Sequence, residues 1–277
     1  MASVVRIDAT ALTSPSFTIL GVAGALPSNI VQDLLVDPGG YALQIGGAAS
    51  DWAFVVTPEG LVDYLAELDV EQGGFLLGRG SSKLAIAGFP ITLDGTQLST
   101  DKCALAGITD WLAKTSAHAL RLLPGHYGFI QPNGPVPEAD LQIRMDGSVD
   151  YPSNRDLFLG GRGTGSFVLV GLPIGIDSTA LVGTAVVLVP LGIAIDPSLT
   201  GIQTVWLLPQ QDLGLVVQST PALTALFDLK TNGSVEFFEP APFVTVDRLD
   251  GHPLFRLTLE VVRTRSPCRR PHPIPSN

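Results

Sequence analysis

WAFVVTPEGLVDY (52–64) and GFLLGRGSSKLAIAGFPITLD (74–94) decide the fold, because both stretches return further along the chain. They recur as ADLQIRMDGSVDY (139–151) and LFLGGRGTGSFVLVGLPIGID (157–177). A more divergent third version reads ALFDLKTNGSVEF (225–237) and APFVTVDRLDGHPLFRLTLEVV (241–262). Self-similarity at a fixed period is the signature of a repeat protein, so the sequence predicts a tandem repeat.

Three landmarks fix the period. They are an aspartate after a short apolar run (Asp8, Asp94, Asp177), a turn proline (Pro38, Pro124, Pro209) and a turn glycine (Gly60, Gly147, Gly233). Successive members lie 83 to 87 residues apart, which is longer than an ankyrin, TPR or WD40 unit. We predict repeat 1 at residues 1–90, repeat 2 at 91–173, a divergent closing repeat 3 at 174–262 and a disordered basic tail at 263–277.

The local pattern within each repeat is that of β-strands. Leu141 and Ile143 alternate with Gln142 and Arg144, and Asp146-Gly147 then turns the chain into a second β-rich run. Alternation followed by Asp-Gly is the strongest short hairpin signal. We therefore predict an all-β protein of three antiparallel β-sandwich or barrel-like units. No Gly/Ser-rich linker separates them, so we expect tightly docked neighbours or a pseudo-three-fold body.

Composition narrows the function classes. Of 277 residues, 45% are hydrophobic and only 15% charged, which suits a β protein with a large core and would also suit one with a buried subunit interface. The tail 263–277 carries four arginines and no acid, so the first 262 residues hold 12 basic and 26 acidic residues. An acidic body repels phosphate, which argues against nucleic-acid binding. We see no signal peptide and no membrane span, so a cytoplasmic location is the default expectation.

One strand differs between the copies. We interpret one face of the strand before each hairpin as core, formed by Ala53 and Val55, by Leu141 and Ile143, and by Phe227 and Leu229. The opposite face then reads Trp52, Phe54 and Val56 in repeat 1, where repeat 2 has Asp140, Gln142 and Arg144. Such an apolar outer face predicts a contact with a second copy or another protein. The alternative is that another part of the chain covers it, as ordinary internal packing.

A second pattern combines an acid, an aromatic residue and an arginine. The sets are Asp63, Tyr64 and Arg79; Asp150, Tyr151 and Arg162; and Glu236, Phe237 and Arg248. Arginine and tyrosine beside a carboxylate could bind a carbohydrate or a small polar ligand. The alternative is an ion pair that fixes strand register.

No catalytic, metal or nucleotide motif stands out, and the sequence predicts no cofactor. An enzyme would need a site in repeat 2, where His118, His126, Asp110 and Tyr127 lie. The favoured hypothesis is a non-enzymatic structural or interaction protein that self-associates, followed by the carbohydrate-binding module and then the enzyme.

Overall fold

The computed structural model describes residues 1–22, 24–45, 48–132, 141–181, 185–196, 199, 201–218, 223–239 and 244–257. Within these ranges the chain forms 28 β-strands and three short 3-10 helices, and no α-helix. The prediction of an all-β protein is confirmed. The predicted tail 263–277 lies outside the described residues.

The strands fall into three consecutive groups, which we call units 1, 2 and 3. Unit 1 contains β1 (Ser3–Asp8), β2 (Ser16–Ile19), β3 (Leu26–Pro27), β4 (Val31–Val36), β5 (Gly39–Ile45), β6 (Ala48–Val56), β7 (Val62–Asp63), β8 (Leu76–Leu77) and β9 (Lys83–Ile86), with 3-10 helices at Ala66–Leu68 and Val70–Gln72. Unit 2 contains β10 (Phe89–Asp94), β11 (Lys102–Leu105), β12 (Leu112–Ala113), β13 (His118–Leu122), β14 (Gly125–Tyr127), β15 (Phe129–Ile130), β16 (Leu141–Ile143), β17 (Val149–Asp150), β18 (Leu159–Gly160) and β19 (Ser166–Leu169), with a 3-10 helix at Ser153–Arg155. Unit 3 contains β20 (Leu172–Asp177), β21 (Val186–Val189), β22 (Ile193–Ile195), β23 (Ile202–Leu207), β24 (Gln210–Val217), β25 (Leu223–Leu229), β26 (Val235–Glu239), β27 (Val244–Leu249) and β28 (His252–Leu257).

Each unit builds its first sheet in the same strand order. The orders are β4-β1-β9-β8, β13-β10-β19-β18 and β23-β20-β28-β27. The first strand of the unit lies between an antiparallel neighbour and a parallel one, and the parallel neighbour is the last strand of the unit in sequence. This parallel pair was not expected from the sequence, which predicted antiparallel sheets alone.

A second sheet is formed by strands that lie, in sequence, between the first and the last strand of the unit. It has the order β3-β2-β5-β6-β7 in unit 1 and β22-β21-β24-β25-β26 in unit 3, and it is split into β12-β11-β15 and β14-β16-β17 in unit 2. The recurring order agrees with the spacing of the landmarks. Division of the chain into domains at residues 90 and 173 stays a prediction.

Short polar turns hold the strand ends. The hairpin glycines Gly60, Gly147 and Gly233 have φ values of 80°, 78° and 75°, in the left-handed region that favours glycine. After the first strand of every unit, a threonine hydroxyl donates to the aspartate two residues earlier, at 2.6 to 2.7 Å. This turn is the structural role of the repeated Asp8, Asp94 and Asp177.

The prediction that Phe54 and Val56 lie on an apolar outer face of repeat 1 is wrong. Phe54 and Val56 are each 1% exposed and lie in the core, whereas Val55 is 45% exposed. Because side chains alternate along a strand, an error of one residue exchanges the two faces. Counted back from the hairpin glycine, Val56 matches Ile143, which is also buried. The side chain of Trp52 lies outside the described residues.

Candidate functional sites: two arginine clusters and a repeated junction

The first predicted cluster assembles as expected. Asp63 lies on β7, and Arg79 lies in the turn between β8 and β9. Arg79 Nε donates to Asp63 Oδ1 at 2.7 Å. The Tyr64 hydroxyl accepts the Arg79 amide at 3.1 Å and donates to Asp69 Oδ2 at 3.3 Å. The hydrogen bond from Arg79, then that from the Tyr64 amide, holds the pKa of Asp63 below its usual value.

Backbone contacts show why the glycines flank Arg79. Gly78 and Gly80 have φ values of 105° and 74°. This tight turn lets the Gly80 amide donate to Val62 O at 2.8 Å, while the Val62 amide donates to Ser81 O at 2.7 Å. The turn thereby ties the first sheet to β7 of the second sheet. The turn that carries Arg79 therefore joins the two sheets, and ligand binding by Asp63, Tyr64 and Arg79 stays a prediction.

The second cluster also assembles, with an additional arginine. Arg162 Nη2 lies 2.7 Å from Asp156 Oδ1 and its Nη1 lies 4.0 Å from Asp150 Oδ1. The Arg162 guanidinium stacks 4.6 Å from the centroid of the Tyr151 ring. Arg144 Nη2 donates to Asp150 Oδ2 at 2.6 Å, and this bond is the largest cause of the lowered pKa of Asp150.

Arg144, Asp150, Tyr151 and Arg162 line an open cleft of about 530 Å³ in unit 2. The side chains of Arg144 and Arg162 are 56% and 37% exposed, so each guanidinium group keeps hydrogen-bond donors accessible to solvent. Sequence reasoning found three of these four residues as a site. It placed Arg144 on a solvated strand face and did not connect it with Asp150.

The third predicted cluster does not form. Glu236 pairs with Lys230 at 3.0 Å, and Arg248 lies on β27 opposite Pro253. The prediction was wrong because unit 3 lacks the Gly-Arg-Gly turn and continues as the long hairpin β27–β28. The ion pairs of this hairpin join Arg256 to Asp247 and Asp177 instead.

A groove that the sequence did not indicate lies on the outer face of the first sheet of unit 1. It has a volume of about 650 Å³ and is lined by Arg6, Asp33, Lys83 and Leu77, among others. Arg6 binds Asp33 through two hydrogen bonds of 2.9 and 3.2 Å. Arg6 and Asp33 lie opposite each other on the neighbouring strands β1 and β4. Their spacing in sequence does not reveal this strand register.

Adjacent units meet through a junction that occurs twice. At the first junction, the Thr13 amide donates to Arg121 O at 3.0 Å, and the Arg121 amide donates to the Thr13 hydroxyl at 2.7 Å. At the second, Ser99 and Trp206 make the same two bonds at 2.9 Å each. The loop after the first strand of one unit thus forms hydrogen bonds with the backbone N–H and C=O of one residue on the edge strand of the next unit.

A leucine and a glycine pack beside each pair of bonds. A Cβ on Gly88 would lie 3.0 Å from Leu12 Cδ2, and a Cβ on Gly171 would lie 3.1 Å from Leu98 Cδ2. Both glycines also have positive φ values, 67° and 78°. The leucine can therefore approach the next edge strand only because no side chain stands at the glycine.

Two of the residues considered for an enzyme, His118 and Tyr127, bind backbone carbonyl groups. His118 Nε2 lies 2.6 Å from Ala113 O, and the buried Tyr127 hydroxyl donates to Leu123 O at 2.6 Å. Burial raises the pKa of the Tyr127 phenol and raises that of the Cys103 thiol to about 11. Neither group is activated as a base or a nucleophile. No group of three His, Cys, Asp or Glu residues in the described ranges is placed to hold a metal ion.

Within the part of the chain that the structure describes, no helix has the length and apolar character needed to cross a membrane. No family model matches this chain, and no curated protein matches it. Among solved structures, the chain is similar to the pilus adhesin SpaC from Lactobacillus rhamnosus GG, with 12% identity. That match covers 93% of this chain and 42% of the adhesin chain. Its TM-score is 0.26, so the likeness carries no argument, and no family membership follows from the comparisons.

Proposed function

We propose that this chain is a non-enzymatic structural or interaction protein that associates with further copies of itself. The observation that carries the proposal is the junction between units. Docking through two hydrogen bonds and a leucine occurs first between Thr13 and Arg121 and again between Ser99 and Trp206. A contact that one β unit makes with the next inside a chain is suited to joining units of different chains.

The surface of unit 1 supports the same proposal. Leu35 and Val4 lie opposite each other on β4 and β1 and are 70% and 58% exposed. β4 is an edge strand, and exposed apolar edges favour pairing with another chain. The low charged fraction of 15% does little to oppose such contacts.

The test is the solution mass of the purified protein, measured by size-exclusion chromatography with light scattering over a wide concentration range. We expect mass above the 29.1 kDa of one chain, and we expect it to rise with concentration. A constant mass of one chain at every concentration would contradict self-association.

A second candidate function is binding of a carbohydrate or small polar ligand in the cleft of unit 2. It is favoured by the solvent-accessible donors of Arg144 and Arg162 beside the ring of Tyr151. Planar guanidinium groups suit carboxylate oxygens, as in an acidic sugar.

A binding screen of neutral and acidic glycans tests this second function. Arg162→Ala should abolish binding while the thermal midpoint stays near that of the wild type. Arg79→Ala, in the equivalent cluster without a second arginine, is the matched control and should leave binding unchanged. Loss of folding in Arg162→Ala would instead assign the cluster a structural role alone.

A further inference from the structure

The first sheet of unit 3 ends in a longer edge strand than the corresponding sheets of units 1 and 2. In those units the equivalent strands β8 and β18 have two residues each, and both run directly into a Gly-Arg-Gly turn. In unit 3 the strand is β27, which has six residues, and all of those from Thr245 to Leu249 are exposed. Long exposed edge strands favour pairing with another chain, so β27 is a candidate contact surface.

The hydrogen bonds of the neighbouring strands show how the backbone of unit 3 is oriented. The N–H and C=O of Trp206 both bond to Ser99, so they point away from β20. Its partner on β20, Pro173, therefore points its carbonyl group towards β28, and Gly175, two residues further on, repeats this orientation. In a parallel pair only one of two opposite residues bonds to the other strand. Leu254, the partner of Gly175 on β28, therefore directs its N–H and C=O towards β27.

Alternate residues of β27 direct their backbone groups to the free edge. Leu254 exchanges hydrogen bonds with Asp247, so the adjacent residue Val246 points its N–H and C=O away from β28. Val244 and Arg248 repeat the orientation of Val246, since residues two apart are equivalent in a strand. In the described part of the chain, no hydrogen bond is made to these groups. The edge is therefore open to a further strand.

The sequence of β27 is complementary to itself in one antiparallel register. When Val246 lies opposite Val246 of a second copy, Val244 lies opposite Arg248 and Thr245 opposite Asp247, so no two like charges meet. A centre one residue later would set Asp247 opposite itself, and a centre two residues later would set Arg248 opposite itself. Like charges directly opposite each other destabilise a strand pair, which favours the register centred on Val246.

We infer that β27 pairs with β27 of a second copy in this register, so that two four-stranded sheets join into one sheet across a two-fold axis. This inference rests on the proposed self-association and names the surface that carries it. Both copies use the same strand, so the contact closes at two chains. Val246, which is 42% exposed in the single chain, is covered at the axis.

Sedimentation velocity on the full chain tests the inference by exchanging charges at Val246. We expect the wild-type mass to approach twice the 29.1 kDa of one chain and to rise no further. Val246→Lys and Val246→Glu each set two like charges opposite each other and remove an apolar contact, so each should weaken association by about tenfold. A one-to-one mixture of the two variants should recover association, because lysine then lies opposite glutamate. Leu35→Lys changes an exposed leucine on the edge strand β4 in the same way, and as the matched control it should associate like the wild type.

Val246→Cys gives a second measurement that introduces no charge. In a hydrogen-bonded antiparallel pair the Cα atoms of opposite residues lie about 5.5 Å apart, which is within the range of a disulfide. Mild oxidation of this variant should therefore link residue 246 of one copy to residue 246 of another. Peptide mapping by mass spectrometry distinguishes this link from one through Cys268.

The outcomes separate this inference from the proposed function. Association of Val246→Lys equal to that of the wild type, with an unchanged circular dichroism spectrum, would overturn the inference and leave self-association intact. A mixture that associates no better than either charged variant alone, or a wild-type mass that passes two chains, would also overturn it. Should the charged variants fail to fold, Val246→Cys decides, because the absence of a link between copies overturns the inference. A wild type that stays a single chain at every concentration would overturn self-association as well.

Discussion

The hairpin glycine of unit 2 should be much less tolerant of a side chain than its counterpart in unit 3. Gly147 has φ +78°, and a Cβ there would lie 2.6 Å from Phe89 Cδ1. Phe89 is 3% exposed, and its ring centroid lies 5.1 Å from that of Phe75. The Phe89 ring is therefore buried and packed against Phe75, so it has little room to move away from an added side chain. Gly233 has nearly the same φ, +75°, but a Cβ there would meet its nearest neighbour, Leu172 Cδ2, at 3.7 Å.

Two costs set the expected loss of stability: the strained backbone of the new alanine, and its contact with Phe89. The left-handed backbone conformation costs an alanine about 1–2 kcal/mol at either glycine. Forcing the buried Phe89 ring aside adds about 1–3 kcal/mol at Gly147 alone. We expect Gly147→Ala to lower the free energy of unfolding by about 2–5 kcal/mol, and Gly233→Ala by only the first of the two costs.

Urea unfolding followed by circular dichroism measures both variants. Phe89→Leu tests whether the contact with the ring causes the larger loss at Gly147, since a smaller side chain leaves room for the added methyl group. In that background the cost of Gly147→Ala should fall to the cost seen at Gly233. Equal destabilisation by the two glycine variants in the wild-type background would refute the reasoning.

Further predictions concern the junction, the corrected strand and the acid response. Ser99→Ala removes the acceptor of the Trp206 amide and should lower the free energy of unfolding by about 1 kcal/mol in urea titrations, whereas Ser99→Thr keeps it. In the same assay, Phe54→Ala should lower the free energy of unfolding by about 3–5 kcal/mol because Phe54 is buried, and Val55→Ala by less than about 0.5 kcal/mol because Val55 is exposed. Equal losses would support the opposite orientation of the strand, with Val55 in the core. The pKa of Asp150 is lowered by Arg144, so its contribution to stability is present above the unfolded pKa, about 4, and is lost as the pH falls through the lower folded pKa. Thermal midpoints measured between about pH 5 and pH 2 should therefore fall less steeply in Asp150→Asn than in the wild type, and parallel curves would argue against this assignment.

The sequence predicted the hairpins well because their turn chemistry is local. Asp146-Gly147 and Asn232-Gly233 form the turns of β16–β17 and β25–β26. The two Gly-Arg-Gly turns also brought their arginines to the expected acids in units 1 and 2. Short sequence separation and a glycine that requires positive φ leave little freedom in such segments.

The facing of β6 could not be read from hydrophobicity, because Trp52 to Val56 are apolar on both faces. Period-two alternation carries no information in such a run, and only the count from Gly60 decides between the faces. The junctions were missed for another reason. Their bonds join residues about a hundred positions apart, and the loops that make them have no hydrophobic period.

The parallel pairing of first and last strands has a consequence for how the chain folds during synthesis. Arg6 on β1 finds its partner Lys83 on β9 only when nearly all of unit 1 has been made. Pairing across such a separation is slow, since a long loop must close before the contact stabilises it. At a ribosome, each unit would therefore remain open until its last strand leaves the exit tunnel. The junction at Gly88 forms later still, when β13 of unit 2 arrives to meet Thr13, so the chain is completed in order from its N-terminal unit.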